Sequence, residues 1–392
     1  MIRRLLLFLW LVAGAYDTVS ATAPGSGKRI VLISGDEEYR SEQALPQLAK
    51  ILTVRHGFEC TVLFAIDAKD GTINPDQRDN IPGLEALDHA DLMVIFTRFR
   101  DLPDAQMRHI VDYVESGRPI VALRTATHAF DLTTSKTYQR YSWNSKEWDG
   151  GFGRQVLGET WIDHHGEHGK QSTRGIVVED QRDHPILRGI RSGDIWVPTD
   201  AYKVRLPLPG DSRPLILGQV LQGMQPSDPP VTGGKNEPMM PVAWTKTYGG
   251  KSRSRVFATT MGAAVDLENE TLRRLIVNAC FWAMGLESQI LPRTNVDLVG
   301  YYKPLPFGFG GFARGLKPAD LLAHRPDQTR CAPNSADQIR LRISGGIGGG
   351  SQCRYISMVL RIVRSTQAQL EQRCKCSSHH LGIGPPASSS RK

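Results

Sequence analysis

Short apolar segments alternate with amphipathic stretches through the first third of the chain. The apolar segments are four to six residues long, which is typical of buried strands in a parallel sheet. Between them, residues 45–52 and 107–114 carry apolar side chains at helical spacing. Because parallel strands need helical crossovers, the sequence predicts an α/β fold of three layers, with a mainly parallel sheet and helices on both faces. The predicted strands are residues 29–34, 59–64, 91–96 and 120–123.

The second half continues the pattern without an internal repeat or an obvious linker before about residue 290. Ser41 is predicted to cap the first helix, Pro103 to start the second, and residues 268–286 to form a long amphipathic helix. One domain over residues 28–290 is the simplest organisation, and 40% hydrophobic residues suffice for its core. Further strands are predicted at residues 175–179, 214–220, 242–245 and 255–260.

The two ends of the chain differ from this domain. Arg3 and Arg4, an apolar stretch at 5–15 and Val19-Ser20-Ala21 predict a signal peptide at residues 1–21. The apolar stretch is shorter than the roughly 20 residues of a membrane span. A secreted or periplasmic protein without membrane attachment after cleavage is therefore expected.

Residues 325–392 form a basic, cysteine-containing tail. They hold eleven Lys or Arg and three Asp or Glu, a net +8 that equals the charge of the whole chain. The rest is neutral, so the charge does not indicate a nucleic-acid partner. The composition predicts disorder, and an abnormal reading frame would explain it equally well. Residues 291–324 are expected to pack on the domain as an extended arm, and Cys60 and Cys280 to be buried free thiols.

Reactive side chains follow three of the predicted strands. Glu37 and Glu38 come after the first, Arg98 after the third, and Arg124, Thr125 and His128 after the fourth. The carboxyl ends of parallel strands share one sheet edge, so these loops are expected to converge. Together they offer groups for acid/base chemistry and for anchoring an anion or oxyanion. For each residue a purely structural role is the alternative.

A second cluster of functional groups lies at residues 161–168. His164, His165 and His168, with two carboxylates, are candidate metal ligands or bases, although the spacing matches no helical zinc motif. A hydrogen-bonded loop with one histidine facing the crevice is the alternative. Nearby aromatic and amide groups, Trp143 and Asn144 among them, are typical of a sugar site.

With these residues in view, the chain resembles the trehalose-utilisation (ThuA-like) family, whose fold is class I glutamine amidotransferase-like, or flavodoxin-like. The resemblance implies carbohydrate metabolism, with disaccharide or keto-sugar processing as the expected activity. It extends over residues 28–290 and rests on the segments at 122–128, 153–158, 184–186, 241–244 and 255–257.

Two departures from the pattern of this fold bear on mechanism. Thr125 aligns with the cysteine nucleophile of amidotransferases, and a threonine hydroxyl is a far weaker nucleophile, so glutamine hydrolysis is not expected. Many relatives carry a histidine after a late strand, where this chain has Ala263 and Ala264.

The resulting hypothesis is an exported carbohydrate-processing protein. His128 and Thr125 are the candidate catalytic groups, with Glu37 or Glu38 for proton transfer and Arg98 and Arg124 as anchors. Trp143 and Asn144 would bind substrate, and the three histidines would bind substrate or hold a divalent metal, while the identity of any cofactor stays open. The expected partner is a small carbohydrate, not nucleic acid or a membrane. A non-catalytic sugar-binding module that has lost the nucleophile is the alternative function.

Overall fold

The computed structural model describes residues 23–249 and 253–322, together with the backbone of a strand at 341–343. The predicted signal peptide and, apart from this strand, the predicted basic tail lie outside these residues. Within the described part of the chain, no helix combines the length and the apolarity needed to cross a bilayer.

The strands are β1 Arg29–Gly35, β2 Glu59–Phe64, β3 Leu92–Thr97, β4 Ile120–Leu123, β5 Asp163–His164, β6 Thr173–Val177, β7 Ile195–Val197, β8 Tyr202–Lys203, β9 Arg213–Val220, β10 Met240–Tyr248, β11 Ser254–Thr259 and β12 Leu341–Ile343. Ten of them form one sheet at the centre of the molecule, in the order β12-β2-β1-β3-β4-β11-β10-β9-β6-β7. Its first six strands pair in parallel, whereas β10, β9, β6 and β7 extend it with antiparallel pairings. β5 and β8 form a separate two-stranded ribbon.

Helices cover both faces of this sheet. Leu45, Leu48 and Leu275, on the first and third helices, belong to one apolar core, and Met107 and Ile110, on the second helix, belong to another. Alternate residues of each strand point to opposite faces, so both cores pack against the same strands. The predicted three-layer α/β fold is confirmed. The helices are α1 Ser41–His56, α2 Asp104–Glu115, α3 Glu270–Ala283 and α4 Pro318–Leu322.

The start of α1 differs from the prediction. Arg40 precedes the helix in a left-handed conformation, and Ser41 makes no capping bond. The Ser41 hydroxyl instead accepts the backbone N–H of Asp36 at 3.0 Å and lies 2.8 Å from the Ser34 hydroxyl. Ser41 therefore stabilises the loop after β1, which carries site residues.

Residues 291–322 contain little regular structure and run beside α1. The His56 ring bonds the carbonyl of Asn295 at 2.8 Å, and the amide of Leu305 donates to the side chain of Gln43 at 2.8 Å. Phe312 is buried, with 6% exposure. Cys60 and Cys280 are both free and buried.

Glu42, in the first turn of α1, makes stability depend on pH. It is 3% exposed, and neither carboxylate oxygen has a hydrogen-bond partner among the described residues. Burial raises its pKa to about 7. The folded state holds this proton more tightly than the unfolded chain, so stability is expected to fall as pH rises from 4.5 to about 7.

Replacing this carboxyl with a neutral amide tests the effect. Glu42→Gln is expected to be more stable than wild type at pH 8 by about 3 kcal/mol, because the pKa rises from 4.5 to about 7 and each pKa unit corresponds to about 1.4 kcal/mol. The difference should shrink by pH 4.5, as measured by urea unfolding. Glu85→Gln, at an exposed position, is the control. A difference that stays constant with pH would show that Glu42 does not titrate in this window.

Candidate functional site at the carboxyl edge of the sheet

Three loops meet at the carboxyl edge of the parallel strands, and each contains one strained residue. Arg40 follows β1, Phe99 follows β3 and Arg124 follows β4, with φ values of 59°, 47° and 44°. Among the described residues, no other non-glycine residue has a positive φ. Such strain persists only where the surroundings enforce it, and it concentrates at functional sites.

Arg124, not Thr125, occupies the strained turn after β4. Thr125 is fully buried, and its hydroxyl donates to the carboxylate of Asp36 at 2.6 Å. This environment gives no support to the prediction of Thr125 as a catalytic group. The hydroxyl is sealed from solvent and holds the loop after β1 against the loop after β4.

Arg124 lies fully buried beneath the residues of the site. It donates to Asp200 Oδ1 at 3.0 Å, to the Asp200 carbonyl at 2.7 Å and to the Thr260 carbonyl at 2.6 Å. The guanidinium carbon lies 4.3 Å from the centre of the Tyr39 ring and 4.0 Å from that of Tyr202. With no exposed surface, Arg124 cannot anchor a substrate anion as predicted, and it orients Asp200 instead.

The Asp200 carboxylate binds two histidines in addition to Arg124. His164 Nδ1 lies 2.7 Å from Asp200 Oδ2, and His168 Nδ1 lies 3.0 Å from Asp200 Oδ1. Burial alone would raise the pKa of Asp200, but Arg124 and the two histidines hold it well below its usual value. The hydrogen bond to Asp200 raises the pKa of His168 above its ordinary value. Asp200 therefore remains ionised and fixes both imidazole rings.

Glu38 lies on the other side of His168 from Asp200, so the three residues form a chain Asp200–His168–Glu38. Its Oε1 lies 3.4 Å from His168 Nε2, and its Oε2 lies 3.3 Å from Arg98 Nε. Burial raises the pKa of Glu38, against the opposing charge of Arg98. The raised pKa values of Glu38 and His168 favour a proton held between them.

Glu37 has a different environment from its neighbour. One carboxylate oxygen lies 2.5 Å from Arg98 and the other 2.5 Å from Arg100, whose side chain is fully buried. Glu37 is thus held in a double ion pair, and of the two predicted glutamates Glu38 alone faces the histidines. Arg98 is likewise occupied by carboxylates, so its predicted role as a free anion anchor has no support.

His128 lies among aromatic rings beside the histidine cluster. Its ring centre is 4.8 Å from that of Phe99, 5.4 Å from Trp161 and 5.9 Å from Tyr202. Trp143 continues this surface, 5.5 Å from Phe99 and 5.9 Å from Trp161. We call Phe99, Trp143, Trp161 and Tyr202 the aromatic wall.

The environment of His128 argues against the predicted acid/base role. It is 2% exposed, and burial with the positive charges of Arg98 and Arg124 lowers its pKa well below the ordinary value. His128 is therefore a neutral ring that packs behind the aromatic wall. Its Nδ1 lies 3.2 Å from the hydroxyl of Thr127.

Two further predicted residues lie apart from this cluster. His165 bonds the carbonyl of Lys235 at 2.6 Å. Asn144 is exposed and lines a separate surface groove of about 360 Å³ with Asp131. Within the described residues, neither side chain has a hydrogen bond or ion pair with His164, His168 or Asp200.

The candidate metal ligands differ from the predicted set, because Asp200 takes the place of His165. Among the described residues, one group of three ligands has its atoms within 4.8 Å of one another: His164, His168 and Asp200. Imidazole nitrogens and a carboxylate are suitable ligands for zinc and related ions. The site could hold such an ion if the two hydrogen-bonding protons on the imidazoles were displaced.

Sequence reasoning missed two residues that define the site, Asp200, which follows β7, and Tyr39, whose ring packs on Arg124. Trp161 was part of the predicted cluster at residues 161–168 but was given no role, and it joins Trp143 to His128. Tyr39 could have been selected, because it adjoins a predicted residue. Asp200 has no such signal, since a single aspartate between strands matches no motif.

These features define a flavodoxin-like α/β protein with a histidine and carboxylate site at its parallel sheet edge. The family model described as ThuA, trehalose utilisation, matches residues 29–283, so the chain belongs to the trehalose-utilisation (ThuA) family. The resemblance inferred from the sequence is confirmed. No curated protein matches the chain significantly.

Two solved structures show a distant likeness to this chain. A ThuA-like protein from Bacteroides uniformis is 16% identical, with a TM-score of 0.44, and the match covers 68% of this chain and 94% of that protein. One from Parabacteroides merdae is 15% identical, with a TM-score of 0.42, and covers 66% of this chain and 90% of that protein.

Proposed function

We propose that this protein is an exported enzyme that processes a disaccharide or keto-sugar by acid/base chemistry, with His168 and Glu38 as the proton-transfer pair. The observation that carries the proposal is the Asp200–His168–Glu38 arrangement beside the aromatic wall. The ionised Asp200 accepts a hydrogen bond from His168 Nδ1, so the proton on Nδ1 stays in place. His168 Nε2 is then the atom that exchanges a proton with Glu38 or with a sugar oxygen. The family and the N-terminal sequence pattern support the substrate class and export.

Access to solvent supports the same assignment. The His168 side chain is 34% exposed, whereas those of Asp200 and Glu38 are 0% and 6% exposed. A substrate can therefore reach the imidazole while the two carboxylates stay protected from water. Trp161, whose ring lies 6.0 Å from that of His164, and the adjoining Trp143 are half-buried and offer flat faces on which a sugar ring can pack.

Metal-assisted chemistry is the second candidate, because His164, His168 and Asp200 form a three-ligand group. The distances of 2.7 and 3.0 Å from the imidazoles to Asp200 favour proton-mediated contacts. A bound cation would replace these protons and would activate water instead.

A turnover screen tests the proposal and separates these alternatives. Purified protein is expected to convert at least one of a panel of disaccharides and their keto derivatives, followed by chromatography of the products. Activity should survive treatment with EDTA. Loss of activity on chelation, restored by Zn²⁺ or Mn²⁺, would show metal-assisted chemistry. Binding of a sugar without conversion would favour the non-catalytic binding module, and neither binding nor conversion would refute the proposal.

A further inference from the structure

Residues 301–312, which we call the arm segment, are fastened to the loop that carries Glu38. The amide of Gly308 donates to the Glu38 carbonyl at 2.7 Å, and Arg40 donates to the Gly308 carbonyl. The Tyr302 hydroxyl donates to the Ala264 carbonyl at 2.7 Å. These bonds place the arm segment beside the proposed proton-transfer pair, although it lies beyond residues 29–283 that match the family.

Two phenylalanines of the arm segment contact site residues. The Phe307 ring lies 5.2 Å from the ring of His168 and 5.7 Å from that of Tyr39. Phe309 lies 5.0 Å from the guanidinium of Arg98, yet 65% of it is exposed to solvent. Gly308, between them, has a φ of 133°, a conformation that other residues rarely adopt.

The histidines and Arg98 lie between this pair and the aromatic wall, since Arg98 is 4.7 Å from the Phe99 ring and 5.0 Å from the Phe309 ring. Ring contacts run from Trp161 to His164 at 6.0 Å, from His164 to His168 at 4.9 Å and from His168 to Phe307. Within the described chain, no ring contact joins Phe307 or Phe309 directly to Trp161. The site therefore has two aromatic surfaces, with His168 and Arg98 between them.

We propose that Phe307 and Phe309 of the arm segment form the second sugar-binding surface, so that the site takes a two-ring carbohydrate with one ring on each surface and the linkage next to His168 and Glu38. This inference rests on the proposed function and deepens it. Pyranose rings pack their C–H faces on aromatic side chains, and a single surface would suffice for a monosaccharide. The exposed face of Phe309, backed by Arg98, is ready for such a contact.

Binding measurements with one-ring and two-ring probes test this inference. Trehalose, maltose and cellobiose are the two-ring probes, and methyl glucoside is the one-ring probe, each titrated by calorimetry. Phe309→Ala is expected to weaken binding of the preferred disaccharide about tenfold, because it removes a stacking surface, and to leave methyl glucoside binding unchanged. Tyr301→Ala is the matched control, since Tyr301 is on the same segment and is 79% exposed.

The outcomes distinguish the arm segment from the site as a whole. If Trp161→Ala weakens sugar binding and Phe309→Ala leaves the disaccharide affinity unchanged, the arm inference is wrong while the proposed function stands. An equal loss for methyl glucoside and the disaccharide, or an equal effect of Tyr301→Ala, would also overturn it. Wild-type protein that binds none of the four sugars would overturn the inference together with the carbohydrate assignment.

Discussion

Replacing Asp200 with alanine is expected to destabilise the folded protein by about 3–5 kcal/mol, the usual cost of leaving one member of a buried ion pair unpaired. The side chains of Arg124 and Asp200 are both fully excluded from solvent and lie 3.0 Å apart. Without the carboxylate, the Arg124 charge would stay buried with only carbonyl and phenol oxygens as partners. Urea unfolding with linear extrapolation measures the loss.

Two controls, an exposed ion pair and a double variant, show whether the loss of stability comes from the buried charge of Arg124. Asp112 pairs with Arg108 at a site where the two side chains are 57% and 56% exposed. Asp112→Ala should therefore cost about 0–1 kcal/mol. Combining Asp200→Ala with Arg124→Met should cost less than the sum of the single changes, because the uncompensated charge is gone. A loss below 1 kcal/mol for Asp200→Ala, or strict additivity, would contradict a buried pair.

The parallel half of the fold could be predicted because its signals are local. β2 and β4 match the predicted segments 59–64 and 120–123, since each is a short apolar run between turns. The approach of the loops after β1, β3 and β4 follows from strand direction alone. The start of α1 was predicted less accurately, because the strained Arg40 and the hydroxyl contacts of Ser41 depend on loop packing.

The chemistry of the site depends on contacts that no local pattern encodes. Asp200 reaches Arg124 from the antiparallel half of the sheet, 76 residues along the chain. Glu37 and Glu38 are adjacent in sequence, yet Arg100 occupies the first and His168 faces the second. A sequence reveals residue types at a sheet edge, whereas the assignment of partners requires the folded chain.

His168→Gln is expected to lower sugar turnover by a factor of about 100–10,000, the contribution typical of a general acid or base. The glutamine amide can still donate to Asp200, so the ion pair below it should survive and the unfolding midpoint should stay close to that of wild type. Steady-state rates on the substrate identified in the turnover screen measure the effect. Binding of that substrate should be retained, because the aromatic wall is unchanged.

His165→Gln is the matched control, because this imidazole is three residues away and bonds the Lys235 carbonyl outside the cluster. The same change of residue type at the two positions isolates the contact with Asp200 and Glu38 from any general effect on the loop. Full activity in His168→Gln would remove the proton-transfer role from this residue. Equal losses at both positions would point instead to a requirement for loop order, since only His168 lies between the two carboxylates.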